Sequence, residues 1–293
     1  MRFWRASAGS RSQLSRLAQR LPTMSWRRGW AAVATAAAIL ALASAAAAGA
    51  FSGAAPSRLQ ALRTAARPAG SAARPAAPAG QAAVPAGQLR TSCTSVAHIG
   101  DSTSVDLISD SMLPDPAQQL TAQYSDAGVQ HLLMDASGGR SIVEELPGQV
   151  NGYNVALNWR NQGYRGCWVF ALGTNDAANV SVGSSVGIMA RIQEMMSVAH
   201  GEPVMWVNTV TQLSSGPWAE ANEQAWDNAL VSALARYPNM RIFNWAAVAK
   251  PGWFLSDGIH YNSAGCAARA QAIADALARA FPARGHSSSQ IVG

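Results

Sequence analysis

Residues 97–104 read AHIGDSTS, a short apolar run that stops abruptly at Gly-Asp-Ser. The run fits a buried β-strand, because small and branched apolar residues are followed at once by a turn signal. Two interpretations of the turn are open. It either only redirects the chain, or it presents Ser102 at the end of a strand as a nucleophile, and the residues downstream discriminate between the two.

The same pattern of an apolar run followed by a helix-compatible segment recurs beyond residue 91. Five runs predict strands: SVAHIG (95–100), VQHLLMDA (129–136), CWVFALG (167–173), PVMWVNT (203–209) and MRIFNWA (240–246). Helix-compatible segments lie near 116–126, 141–160, 184–200, 217–236 and 263–280. Strands that alternate with helices of this length indicate a parallel sheet covered on both faces. We therefore predict one α/β domain over residues 91–283 with a five-stranded parallel sheet, followed by a disordered tail over 284–293.

The charge of the chain is divided unevenly. The formal net charge is +6, but residues 1–90 hold 12 of the 22 Lys and Arg residues and none of the 16 Asp and Glu residues. Residues 91–293 therefore carry 10 basic and 16 acidic groups. Such a mildly acidic domain gives no electrostatic reason to bind nucleic acid.

The N-terminal segment is typical of a targeting sequence. Residues 30–51 contain no charged side chain, and Arg27 and Arg28 stand shortly before them. A basic region followed by an apolar run and small residues is the pattern of a secretory signal, and this run is also long enough to span a bilayer. We predict a signal peptide or N-terminal membrane anchor over residues 1–51 and a disordered Ala- and Pro-rich linker over 52–90. Either version of the N-terminus places the domain outside the cytoplasm.

Three cysteines lie in the predicted domain. Cys93 precedes Asp101 by eight residues, and Cys167 precedes Asn175 by eight residues. If their strands are parallel neighbours, both thiols lie at the same level, so that a disulfide between them is one outcome and two free thiols are the other. Cys266 opens the last predicted helix and is expected to be a buried thiol. The spacing of the Cys and His residues predicts no metal site.

Polar residues follow the predicted strands at their carboxyl ends, where ligands gather in open parallel sheets. They are GDSTS after the first strand, DASGGRS after the second, GTND after the third and FLSDGIHYNSAG after the fifth. A serine nucleophile needs a base, and a histidine held by a carboxylate supplies one. Ser102, His260 and Asp257 provide this set. The backbone N–H groups of Ser102 and Gly139 and the side-chain amide of Asn175 provide donors for an oxyanion.

These four blocks, in this order and spacing, resemble those of the SGNH/GDSL hydrolase superfamily. The phrases SGGR, ALARYPNMRIFNWA and GWFLSDGIHYNSAG are most similar to the SGNH domains associated with O-acyltransferases of bacterial envelope polysaccharides. The resemblance implies a three-layer α/β/α sandwich with a flavodoxin-like sheet. It also implies that Ser102 is the nucleophile, that Asp257 and His260 are the acid–base pair, and that Ser102, Gly139 and Asn175 form the oxyanion hole.

Two details refine the resemblance. GDST lacks the leucine of the GDSL signature, which is common among such proteins, and GTND is similar to the hydrolytic members. We therefore predict an exported serine esterase that uses no cofactor and acts on short O-acyl esters of envelope carbohydrate. The alternatives are an O-acyltransferase to sugar hydroxyls, a lipase or general carboxylesterase, and a non-catalytic carbohydrate-binding module. The predicted partner is the ester substrate, and the membrane is contacted only through an N-terminal anchor.

Four tryptophans and one arginine are further candidates for contact with a substrate. Trp206 and Trp245 lie in predicted strands, where core packing is expected, whereas Trp218 and Trp253 lie nearer the predicted catalytic edge and are candidate platforms for a sugar ring. Arg140 is either a ligand for the acyl or sugar group or a partner in a structural ion pair.

Overall fold

The computed structural model describes residues 89–293, so the predicted signal or anchor (1–51) and nearly all of the predicted linker (52–90) lie outside the described residues. The strands are β1 (Ser95–Gly100), β2 (His131–Ala136), β3 (Cys167–Ala171), β4 (Val204–Val207), β5 (Met240–Phe243) and β6 (Ile291–Val292). The helices are α1 (Ser102–Val105), α2 (Leu120–Asp126), α3 (Gly152–Asn161), α4 (Thr174–Ser181), α5 (Ile188–Ala199), α6 (Glu220–Ala233), α7 (Trp245–Val248) and α8 (Ser263–Ala280). Short 3-10 helices lie at Asp106–Ile108, Pro116–Gln118 and Pro251–Trp253. Among the described helices, none is long and apolar enough to cross a membrane.

The strands form one parallel sheet in the order β2-β1-β3-β4-β5-β6. The chain leaves β1 toward β2 on one side and then crosses to β3 on the other side, so the direction of winding reverses between β1 and β3. Gly100 and Ala171 pair at the carboxyl ends of these two strands, and the Asp101 N–H donates to the Ala171 carbonyl at 3.2 Å. Open α/β sheets bind their ligands at such a switch point.

Alternate residues of the strands pack into two apolar layers, because successive side chains of a strand point to opposite faces. Val96 of β1 lies in one layer with residues of α2 and α8, whereas Ala97 and Ile99 lie in the other layer with residues of α3, α5 and α6. The central strand β3 is buried along its whole length, as expected of a strand covered on both faces. The predicted three-layer α/β/α architecture is confirmed.

The predicted helices differ in how well their limits agree with the structure. The last helix occupies Ser263–Ala280 as predicted, and the Asn262 side chain caps it by accepting from the Gly265 N–H at 3.0 Å. The helix predicted over 141–160 is confined to Gly152–Asn161. Residues 141–151 are irregular instead, because Pro147 and the positive φ of Gly148 are incompatible with a continuous helix.

The tail over residues 284–293 was predicted to be disordered, but it ends in a strand, so the described sheet has six strands rather than five. The Ile242 N–H donates to the Gln290 carbonyl, and the Asn244 N–H donates to the Val292 carbonyl, both at 2.8 Å. Val292 is buried. This short apolar ending pairs with the edge of β5 and satisfies backbone groups that would otherwise be exposed. The polar residues that precede it are typical of a disordered tail, so the sequence pattern predicted no strand there.

A disulfide joins Cys93 and Cys167 at the amino ends of β1 and β3. The register of the two strands places Val96 opposite Cys167, so Cys93 lies three positions before its partner rather than at the same level. The chain ahead of β1 nevertheless brings the two Cα atoms to 5.6 Å from each other. Cys266 is free and buried, as predicted.

Candidate active site

Ser102, His260 and Asp257 form one hydrogen-bonded chain at the carboxyl edge of the sheet. Ser102 Oγ is 2.9 Å from His260 Nε2, and His260 Nδ1 is 2.7 Å from Asp257 Oδ2. The serine and the histidine are 158 positions apart in the sequence, so only the topology of the sheet brings them together. In this geometry the imidazole can accept the serine proton while the carboxylate holds its other nitrogen.

The turn that presents Ser102 is built by its neighbours. The Asp101 side chain caps α1, since its Oδ1 accepts from the Thr103 N–H at 2.9 Å and from Thr103 Oγ1 at 2.7 Å. Burial raises the pKa of the Asp101 carboxyl group, although the bonds from Thr103 partly oppose this shift. Position 100 requires glycine, because a Cβ there would lie 2.4 Å from the Ser104 side chain. Asp101 and Gly100 thus shape the turn around the serine.

A compact loop presents Asp257 and His260 together. The Oδ1 atom of Asp257 accepts from the N–H groups of Ile259 and His260 at 2.9 and 3.0 Å, which leaves Oδ2 for the imidazole. The Leu255 N–H donates to the His260 carbonyl at 2.8 Å and closes the loop. Burial disfavours the charged form of Asp257, but the bonds from His260 and Ile259 outweigh it and lower the pKa of the carboxyl group below its ordinary value. Asp257 is therefore a carboxylate at neutral pH.

The predicted oxyanion donors come from three separate segments, namely the first residue of α1, the loop after β2 and the first turn of α4. Among residues 89–293, no acceptor is bonded to the backbone N–H of Ser102 or of Gly139, so both groups are available to a ligand. Gly139 has φ +71°, in the left-handed region that favours glycine. Asn175 Nδ2 donates to the Arg140 carbonyl at 3.0 Å, which links the third donor to the loop that carries the second.

A network of ion pairs, with Arg191 and Asp176 buried at its centre, links the loop that follows Gly139 to α4 and α5. Asp176 Oδ1 accepts from the Ile142 N–H at 2.9 Å and from Arg191 Nη1 at 2.8 Å. Arg191 also pairs with Glu144, and the side chains of Arg191 and Asp176 are completely buried. Sequence reasoning missed Arg191 and Glu144, since each is an isolated charged residue that belongs to no motif.

Arg140 is a structural residue. It is buried, and its guanidinium donates to the carbonyl groups of Val150 and Asp135 and to Asp135 Oδ1. Of the two predicted roles, the ion pair is therefore the one observed. These bonds fix the loop immediately after Gly139.

The four candidate tryptophans have different environments. Trp206 and Trp245 are fully buried in the core, as expected. Trp253 is half-buried and stacks on Trp245 with an angle of 8° between the ring planes. Trp218 is 38% exposed, and its indole N–H donates to Asn175 Oδ1 at 3.3 Å. Trp218 therefore lies directly at the candidate site.

One buried and one half-buried carboxyl group on α6, Glu223 and Asp227, were not predicted. Glu223 is completely buried, and neither of its carboxyl oxygens has a hydrogen-bond partner among the described residues. Burial raises the pKa of Glu223 to about 9. Asp227 accepts from the Thr209 N–H and from Asn208 Nδ2, yet burial raises the pKa of its carboxyl group to about 7. From the sequence alone, the segment of α6 has the composition of an acidic, solvent-exposed helix, so burial of its carboxyl groups was not expected.

His98 does not compete with His260 as a base. Its Nδ1 is 2.9 Å from Tyr124 Oη and its Nε2 is 3.3 Å from Ser104 Oγ, and burial lowers its pKa to about 3. It is therefore a neutral core residue, as expected for a histidine within β1. Nowhere in residues 89–293 are three or more His, Cys, Asp or Glu side chains grouped so that they could hold a metal ion.

Comparisons with known proteins find similarity only at the level of structure. No protein-family model matches the chain, and no curated protein matches it. The C-terminal catalytic domain of peptidoglycan O-acetyltransferase A from Streptococcus pneumoniae is 17% identical, covers 65% of this chain and 97% of its own, and has a TM-score of 0.48. A carbohydrate acetylesterase family member from Sinorhizobium meliloti is 13% identical, with 61% and 95% covered and a TM-score of 0.48. An aryl esterase from M. smegmatis is 16% identical, with 62% and 97% covered and a TM-score of 0.47.

At such identities the likeness is one of fold. The order of the sheet and the contacts of Ser102, His260 and Asp257 agree with the SGNH/GDSL type of hydrolase that the motifs predict.

Proposed function

We propose that this protein is an exported serine esterase of the SGNH type that removes O-acetyl or other short acyl groups from envelope carbohydrate. The observation that carries the proposal is the chain of hydrogen bonds from Ser102 through His260 to Asp257. Within residues 89–293, the backbone N–H groups of Ser102 and Gly139 have no acceptor, so both can donate to an oxyanion. This set is what acyl transfer through a serine requires.

The reaction proceeds in two steps. Ser102 Oγ attacks the ester carbonyl carbon while His260 Nε2 takes the hydroxyl proton and the Asp257 carboxylate stabilises the imidazolium. The oxyanion accepts from the N–H groups of Ser102 and Gly139 and from Asn175 Nδ2. The ester C–O bond then breaks, and His260 returns the proton to the departing alcohol. Water, deprotonated by His260, attacks the acyl-enzyme, releases the carboxylic acid and restores the serine.

The openness of the site supports a carbohydrate ester as substrate. The His260 and Asp257 side chains are 33% and 46% exposed, so the triad is reachable by an acyl group displayed on a polymer. A free lipid needs a deep apolar cleft to bury its chain. The carbohydrate itself is inferred from this accessibility and from the sequence resemblance.

Two independent observations support export. The Cys93–Cys167 disulfide is of a kind that persists in oxidising compartments. The basic and apolar residues of the segment 1–51 have the pattern of a secretory signal or anchor.

The purified protein and its Ser102→Ala variant test the proposal against p-nitrophenyl acetate, butyrate and octanoate and against acetylated xylan. We expect hydrolysis that favours the acetyl ester, and a loss of at least about 10³-fold in kcat/KM in the variant. Ser125→Ala, a change at an exposed serine of α2, is the matched control and keeps full activity.

The same assay is repeated with an added xylo-oligosaccharide as acceptor. Free acetate as the main product supports the esterase, whereas acetylated oligosaccharide as the main product replaces it with the O-acyltransferase. If the wild type is as inactive as Ser102→Ala and is not labelled by a fluorophosphonate, the catalytic proposal is wrong and a binding module takes its place.

A further inference from the structure

Trp218 is the exposed aromatic side chain in contact with the candidate oxyanion hole. It lies in the segment 208–219 between β4 and α6, and its indole N–H donates to Asn175 Oδ1. A tryptophan on a surface loop normally points its polar N–H to water, and here that group is used to hold a side chain of the site.

The hydrogen bond from Trp218 determines the orientation of Asn175. Because Oδ1 accepts from the indole, Nδ2 must lie on the opposite side, where one of its two hydrogens is donated to the Arg140 carbonyl. The second hydrogen of Nδ2 remains for the oxyanion. Without the indole N–H, the amide is held only at its Nδ2 end.

The segment that carries Trp218 is bonded internally and to the loop of Asp257 and His260. Thr211 Oγ1 donates to the Trp218 carbonyl at 2.7 Å, and the Gln212 N–H donates to the Gly258 carbonyl at 2.8 Å, within the loop of Asp257 and His260. The ring is therefore presented in a defined place relative to the triad, and ordering it on binding costs little entropy.

The exposure of the ring matches the chemistry of a sugar. Trp218 is 38% exposed, and Ser214, Ser215 and Gly216, which precede it in the chain, are exposed as well. A pyranose presents apolar C–H groups on its face and hydroxyls at its edge, so it stacks on a single exposed aromatic ring while its hydroxyls stay in water. An acyl chain would instead need a continuous apolar surface.

We propose that Trp218 has two roles, as the positioning residue for Asn175 and as the platform on which the sugar ring that carries the ester stacks. This inference rests on the proposed esterase function and names the part of the substrate that the site recognises. The alcohol side of the ester lies over Trp218, and the oxyanion lies on the other side of the Asn175 amide.

The two roles are separated by the variants Trp218→Phe and Trp218→Ala, because phenylalanine keeps an aromatic face and loses only the N–H. They are assayed with per-O-acetylated xylobiose, an ester of a sugar, and with triacetin, an acetyl ester without a ring. Trp218→Phe is expected to lower kcat roughly three- to tenfold on both esters with KM unchanged. Trp218→Ala shows the same loss in kcat and, in addition, a KM raised roughly three- to tenfold for the xylobiose ester alone.

Trp159→Phe is the matched control, because Trp159 is a half-buried tryptophan near the end of α3 that packs on the apolar core. It is expected to leave kcat and KM unchanged on both esters. An unchanged kcat in Trp218→Phe overturns the positioning role, and a KM for the xylobiose ester that is unchanged in Trp218→Ala overturns the platform.

A binding measurement tests the platform separately from turnover. In the Ser102→Ala background, calorimetric titration with per-O-acetylated xylobiose is expected to show a Kd raised roughly three- to tenfold by Trp218→Ala and little changed by Trp218→Phe. If the wild type hydrolyses neither ester, the esterase proposal fails, and this titration still supports or overturns the platform.

Discussion

Asp257 and Glu223 are carboxyl groups of the same chemistry in opposite surroundings. Asp257 lies in an exposed loop, where bonds from His260 and Ile259 lower the pKa of its carboxyl group. Glu223 is completely buried on α6 without a hydrogen-bond partner among the described residues, and burial raises its pKa to about 9. The charge that the proposed mechanism needs is thus kept where water and local donors stabilise it, while a carboxyl group deep in the protein stays neutral.

Asp176 is a third kind of carboxyl group, one that is buried and paired with a cation. It is as buried as Glu223, but Arg191 and the Ile142 N–H bind it. A buried charge is tolerated when it is paired and hydrogen-bonded, and removing the partner leaves it uncompensated. The three carboxyl groups therefore predict three different responses to substitution.

The largest effect is expected from Asp257→Asn. The amide cannot stabilise the imidazolium and favours the wrong tautomer of His260, so kcat is expected to fall about 10²- to 10⁴-fold on p-nitrophenyl acetate. The melting temperature changes little, because the side chain is 46% exposed. Asp126→Asn, at an exposed residue of α2, is the control. A variant that keeps more than a tenth of the wild-type kcat would remove Asp257 from the mechanism.

Arg191→Met is expected to have the next largest effect, and on stability. The substitution leaves Asp176 buried without its cation, which costs about 3 kcal/mol or more of unfolding free energy in urea. The control Arg236→Met changes an exposed arginine of similar size and is expected to cost less than about 0.5 kcal/mol. Equal losses in the two variants would contradict the role given to the network.

Glu223→Gln is expected to have the smallest effect, visible as a change in pH dependence. A carboxyl group whose pKa is about 9 when folded and 4.5 as an ordinary value keeps its proton longer in the folded state, so wild-type stability falls as pH rises between these values. Between pH 7.5 and 9 the wild type is expected to lose about 1 kcal/mol per pH unit relative to the variant, or about 2–4 °C in melting temperature.

The comparison with the variant isolates Glu223, because Asp227, with a pKa of about 7, and His98, with a pKa of about 3, are present in both proteins. Glu145→Gln, at an exposed residue, serves as the control and should follow the wild type. Parallel melting curves for wild type and Glu223→Gln would show that Glu223 is ionised in the folded protein.

The sequence predicted the exposed edge better than the buried layer. Ser102, Asp257 and His260, which hydrogen bonds join in the structure, could be predicted to meet because each lies in a short polar block directly after a strand or in the closing loop. Their convergence follows from the parallel topology, since all such blocks lie at one edge of the sheet.

The buried layer was not readable, because pairing there depends on distances across elements. Arg191 on α5 reaches Asp176 on α4, 15 positions away, and Glu144, 47 positions away. Neither spacing is a local pattern. The strand at 291–292 was not predicted for a related reason. Two apolar residues after a polar tail form a strand only because they pair with the otherwise exposed edge of β5.

The Cys93–Cys167 disulfide lies at the opposite end of the same two strands that lead to Ser102 and Asn175. The disulfide acts as a covalent clamp that fixes the spacing of β1 and β3 at their amino ends. The loops at the carboxyl ends can therefore be changed, for instance toward other acyl groups, without loss of this link. The disulfide also sets a requirement for anyone who prepares the protein. Material made in a reducing cytosol lacks the clamp, so variants compared in that form are measured against a weakened parent.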